Sequence, residues 1–276
     1  MSTTSTLPTR WANTPWPLLN APQEATVDTT LPPNLFRRTK RRTSHYAVHI
    51  ATDMVHVHNI FLRALNSIIL QSPYVVKPGD IADLLFYTKT VVITIDAHHF
   101  GEEEYLFPAL AAYTNNQDIM SVNQAQHAAF HAGLSCLGEY CKSTSPAEYS
   151  YTTFKGLIDA FAPSLYEHLR DEIPTMLALK VYPSDELKRM WVQAEKHITD
   201  VGSYDEMFPL AFGCMDRGFE GGKHKFPPAP WWVAWVVQYW FARRHQSVWR
   251  FNPCDMWRMP RPLKFLPTDM DGELDT

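Results

Sequence analysis

Three pairs of potential metal donors recur at a spacing of four residues: His98 with Glu102, His127 with His131, and His168 with Glu172. Two residues four apart on a helix share a face, with Cβ atoms about 5–6 Å from one another, so each pair can offer two donors to one centre. His58, in the segment HNIFLRALN, adds a lone imidazole. Five imidazoles and two carboxylates buried together without partners would be costly, because each buried charge loses its hydration. A pair of dications offsets that cost and selects neutral histidine and ionised carboxylate.

One such pair arises easily by chance on a helix; three pairs and a lone histidine in register on four segments do not. About five bonds from imidazoles, about four from two bridging carboxylates and about two from a bridging oxygen fill all but about one of roughly twelve octahedral positions. One open position suits dioxygen or another small diatomic ligand. Ligand number favours iron over zinc, and imidazole content favours it over manganese. His99, Glu103 and Glu104 lie about 100° or more from the face of the second-helix pair and are expected at the surface or as outer partners. Loss of His99 is therefore expected to leave the metal in place. Asp171 competes with Glu172 for the place after His168, but a spacing of four matches the second helix better. His45, His49, His56, His197, His224 and His245 fit no ligand stripe.

The elements that must position these donors read as helices. Ala51, Met54/Val55, His58, Phe61/Leu62, Leu65 and Ile69 alternate steps of three and four, predicting a helix from about His45 to Gln71. Pro73 and the KPGD segment break the chain. A second helix is expected from about Asp80 to Tyr113, with Leu84, Val91, Ile95, His98, Glu102 and Leu106 on one face. A third spans about Ser121 to Lys142 and a fourth about Ser145 to Leu179, kinked or shortened by Pro163 and Pro174. Long helices with short breaks predict an all-α antiparallel four-helix bundle, with an outer helix from about Ser184 to Asp200.

Residues 1–44 are expected to form a poorly ordered tail ending in the basic cluster Arg37, Arg38, Lys40, Arg41 and Arg42, 45–200 the bundle and its outer helix, and 201–276 an extension packed upon it. Within that extension WWVAWVVQYWF reads as a short helix laying its tryptophans against the bundle, followed by a Pro-rich wrap. The chain has 276 residues, enough for a full core, and a net charge of −4, which excludes the basic field that nucleic acid demands. No apolar run is long enough to span a bilayer, and no secretory signal is apparent. A cytoplasmic protein follows, with the basic cluster as a candidate nuclear address. The four cysteines lack zinc-type pairing and read as reduced structural thiols.

The segment HHFGEEEYLFPAL (His98 to Leu110), with HAAFH, HLRDE and HNIFLRALN, resembles the hemerythrin-like, or HHE cation-binding, family over about Ala51 to Leu179. That resemblance implies two non-haem irons with His58, His98, His127, His131 and His168 terminal and Glu102 and Glu172 bridging. Oxygen-carrying members place an aspartate five residues after the last histidine, where this chain has Ile173. Glu172 is instead similar to the intracellular branch, which argues against simple oxygen storage. The FEGGKHKFPPAP and WRFNPCD segments resemble C-terminal extensions of fungal members. Three functions compete: binding or sensing of dioxygen, nitric oxide or iron; oxygen activation against a small organic substrate, for example in secondary metabolism; and a metal-stabilised interaction protein.

Overall fold

The computed structural model describes residues 11–23, 44–198 and 203–267, apart from the side chains of 194–198. Helix α1 (Tyr46–Gln71) starts at His45, whose Nδ1 accepts the Ala47 N–H. Helix α2 (Pro78–Gly101) opens on Pro78, where a missing N–H removes no helical bond, and carries Asp80 against the positive end of its dipole. Its VVITI run is helical. At Glu102–Leu106 the backbone widens into a π turn, in which the Phe107 N–H bonds the Glu102 carbonyl, before α3 (Phe107–Thr114) continues the rod. Pro108 supplies the cause, since it cannot donate and its ring crowds the carbonyl four residues back. Asn115, at φ 53°, ends the rod.

Helices α4 (Ser121–Ser143) and α5 (Tyr151–Ala178) complete the bundle. The fourth long helix thus begins later than the sequence suggests, at a Ser150 cap whose Oγ accepts the Thr153 N–H; Pro163 and Pro174 lie within it without ending it. Around the bundle α1 touches α5, α5 runs along α4, α4 along α2, and α2 closes back on α1. A Cβ added at Gly133 would lie 2.8 Å from the Phe161 Cβ, so α4 and α5 meet where only glycine fits. Helix α6 (Ser184–Ile198) packs outside, and α7 (Met207–Cys214) and α8 (Val233–Tyr239) follow. Among the described residues there is no strand beyond one Cys254–Pro260 bridge, and no helix long and apolar enough to cross a membrane.

Two sequence expectations need correction. Residues 11–23, assigned to a poorly ordered tail, lie against α1. Asn59 both accepts from the Leu19 N–H and donates to the Leu19 carbonyl, and Asn66 accepts from Trp16 and donates to the Ala12 and Trp16 carbonyls. Trp11 is buried, its indole N–H donating to the carbonyls of Pro253 and Arg261. Side-chain amides thus satisfy a segment that has no periodicity to betray it. The tryptophans in and beside α8, in turn, face outward: Trp231, Trp235 and Trp240 are 81%, 49% and 77% exposed, whereas the smaller Ala234 and Val237 are buried. The basic cluster at 37–42 lies outside the described residues.

Candidate metal centre

The inward stripe of α5 runs Phe154, Ile158, Phe161, Leu165, His168, Glu172 and Met176, so the histidine and the glutamate interrupt a stripe that is otherwise apolar. His58 lies on α1 among Met54, Val55, Phe61 and Leu62, and Glu102 stands at the entry to the π turn. Four side chains, His58, Glu102, His168 and Glu172, are fully enclosed, and His98 is nearly so.

With His99 and His127 they fall into two sets of four whose donor atoms lie within 4.8 Å of one another: His58, His98, Glu102 and Glu172 in one, His99, Glu102, His127 and His168 in the other. Glu102 belongs to both. His98 Nε2 lies 3.0 Å from Glu102 Oε1, while His127 Nε2 lies 3.5 Å from Oε2. Glu172 Oε2 lies 3.2 Å from His58 Nε2 and 3.9 Å from His168 Nε2. The ring nitrogens of His127 and His168 converge at 3.1 Å.

None of the four carboxylate oxygens has an aligned hydrogen-bond donor, and His58 Nε2, His98 Nε2, His168 Nδ1 and both nitrogens of His99 are also without one. So many orphaned polar atoms in one buried space fit a cation and fit little else. Two outer contacts point the same way. His58 Nδ1 bonds the Leu169 carbonyl at 2.8 Å and His127 Nδ1 bonds Glu103 at 2.8 Å, which commits those nitrogens as donors and leaves each Nε2 lone pair facing inward.

Burial also sets the protonation. It pushes His98 down to about 4 and His168 down to about 3, against the opposing pull of Glu172, so both imidazoles are neutral. Burial and then its neighbouring imidazoles hold His99 well below the ordinary range. Burial, with the charge of Glu172 added, drives Glu102 well above the usual carboxylate range. Glu172 meets the same burial, but the His58 ring, whose Nε2 lies 3.2 Å from its Oε2, and the other surrounding imidazoles outweigh it and hold it at about 2. Without metal, therefore, the two buried carboxylates oppose one another's charge, which favours a proton on the pair. A dication between them would release that proton.

The fold does not bring His131 to this set. It is 67% exposed, with Nδ1 3.7 Å from Asp96 Oδ1. The reason is the phase of α4, whose inward stripe is Asn123, His127, Phe130, Leu134, Leu137 and Cys141. The step after His127 is three, to Phe130, and residue 131 turns outward. Asp171 is outside too, held by Arg170 Nε at 2.8 Å and Gln126 Nε2 at 3.2 Å. Of the residues expected at the surface or as outer partners, His99 is 7% exposed within the centre itself, while Glu103 is half-exposed at the mouth as an outer partner of His127. Attention to the Phe130, Leu134, Leu137 series would have set the phase of α4.

A four-helix bundle whose inward stripes converge on imidazoles and carboxylates defines a metal-binding helical protein. The hemerythrin HHE cation-binding domain matches residues 49–179, and the chain belongs to that family. It is 62% identical over 272 residues, 98% of this chain and 99% of the relative, to the "Dimeric xanthone biosynthesis cluster protein R11" of Cryptosporiopsis sp. (strain 8999). No solved structure matches it.

Proposed function

We propose that this chain is a non-haem di-iron protein that binds dioxygen, or senses it or nitric oxide, at the buried centre. The observation that carries the reading is the sharing of Glu102 between two sets of four donors, which provides for two ions held by a common carboxylate. Histidine-rich donor sets of this kind suit iron, and the family's cation-binding character agrees. Two irons, when bound, would supply a redox-active pair open to a small ligand. The chain's own residues enclose that ligand: Phe61, Phe107 and Phe130 stand against the histidine rings and exclude water. Enclosure this complete favours a diatomic ligand over a bulky one.

The second reading is oxygen activation against a small organic substrate of secondary metabolism, as a di-iron oxidoreductase. The relative named for a xanthone biosynthesis cluster supports it, since it resembles this chain from end to end. One experiment tests both. The metal-free protein is loaded anaerobically with iron(II), iron is counted, and optical spectra are recorded on adding oxygen, then with aromatic polyketide-type phenols. Two irons per chain and an oxygen-dependent band are expected. A chain that takes up no iron, or a loaded one silent to both oxygen and nitric oxide, overturns the first reading; oxygen consumed with conversion of a phenol selects the second.

A further inference from the structure

We propose that His99, and not His131, is the fifth imidazole of the centre, so that one helix supplies three donors in the order His98, His99, Glu102. The assignment rests on the reading of the site as a metal pair and says which residues of this chain complete it.

Successive residues on a helix are about 100° apart, so with His98 at zero, His99 stands at about 100° and Glu102, four residues on, at about 40°. The carboxylate therefore falls between the two imidazoles on the helix face. His98 joins the set with His58 and Glu172, His99 joins the set with His127 and His168, and Glu102 reaches both. The spacing of His98 and Glu102 alone centres the face on those two and leaves His99 off it; in the bundle the inward direction lies between the two histidines.

His99 has no other use for its nitrogens. A neutral imidazole offers one donor and one acceptor, and both ring nitrogens are buried with no hydrogen-bond partner. Around the ring stand Phe61, Phe130 and the imidazoles of His98, His127 and His168, at centroid distances of 4.5 to 6.5 Å. The only acidic group in its donor set is Glu102. His131, by contrast, is 67% exposed, with Nδ1 3.7 Å from Asp96 Oδ1, so its ring nitrogens are open to solvent. To bring it inward α4 would have to rotate and expel Phe130, which is 1% exposed and packs on both His99 and His168.

The test compares His99→Gln with His131→Ala in the full chain, reading iron per chain and the optical spectrum of the loaded protein, with circular dichroism as a check on folding. His131→Ala should keep both irons and the wild-type spectrum, and His99→Gln should fall to about one iron. Retention of both irons by His99→Gln, or loss of iron from His131→Ala, overturns the assignment. Should His99→Gln not fold, the wild-type protein still decides: diethyl pyrocarbonate should modify His131 in the loaded protein, located by peptide mass, without releasing iron. Release of iron in step with that modification would refute the proposal. A wild-type chain that binds no metal at all would remove the metal reading and this assignment with it, an outcome distinct from either.

Discussion

Glu103 sits at the boundary between the buried centre and solvent. Its carboxylate accepts from His127 Nδ1 at 2.8 Å while about half of it remains in water. An outer carboxylate of this kind fixes the tautomer of a metal-facing imidazole and raises its basicity, and removing one typically costs 10–100-fold, as an order of magnitude, in metal affinity. Glu103→Ala is therefore expected to weaken binding by about that factor without changing the number of ions at saturation. Glu103→Gln, which keeps an oxygen acceptor, should lose less. Competition titration against a chelator of known affinity measures both; equal affinities for all three proteins would show that the contact with His127 has no role. The sequence allows Glu103 an outer role without indicating its partner, because that partner comes from another helix.

At the scale of the helix, position depends on how closely α4 and α5 approach. Gly133 is in contact with the Phe161 Cβ, close to the fixed stem of that side chain, whereas Gly156, on the exposed face of α5, has nothing within 4 Å of its would-be Cβ. Alanine should thus act with opposite signs at the two sites. Gly156→Ala gains helix propensity, about 0.5–1 kcal/mol. Gly133→Ala makes the same gain but must move a helix axis, and overpacking of about 1–3 kcal/mol should leave it destabilised and reduce metal affinity as His127 and His168 part. Denaturant melts of both variants check the pair, and stabilisation by Gly133→Ala would contradict the close approach. The helices themselves were legible because each carries an apolar stripe long enough to fix its period, and the all-α bundle followed. The phase of a stripe was less so. On α4, His127 and His131 share a spacing with Phe130 and Leu134 interleaved, and two donors alone cannot say which series faces inward. The N-terminal arm was illegible for a different reason: Asn59 and Asn66 hold it through main-chain bonds that impose no pattern on residues 11–23.

Taken whole, the molecule closes around α1 from two directions. The arm lies along it through the two asparagines, and the C-terminal segment grips both the arm, at Trp11, and the start of α2, where Arg250 pairs with Asp80 at 2.8 Å and with Asp83 at 2.6 Å. Tyr87 of α2, Cys214 of α7 and Asn252 form a buried chain of contacts beneath this clasp. Bundle and extension should therefore unfold as one unit, and loss of metal should be felt by both. An ion that binds only the folded chain adds about 4 kcal/mol when present at a thousand times its dissociation constant. At about 2–4 °C per kcal/mol for chains of roughly this size, removal should lower Tm on the order of 10 °C. Apo and loaded proteins compared by calorimetry should each show one transition, with helix circular dichroism and tryptophan fluorescence falling together. Two separated transitions would mean that the clasp does not couple extension to bundle. An unchanged Tm after verified removal of metal would mean that the orphaned carboxylates and imidazoles are satisfied without it.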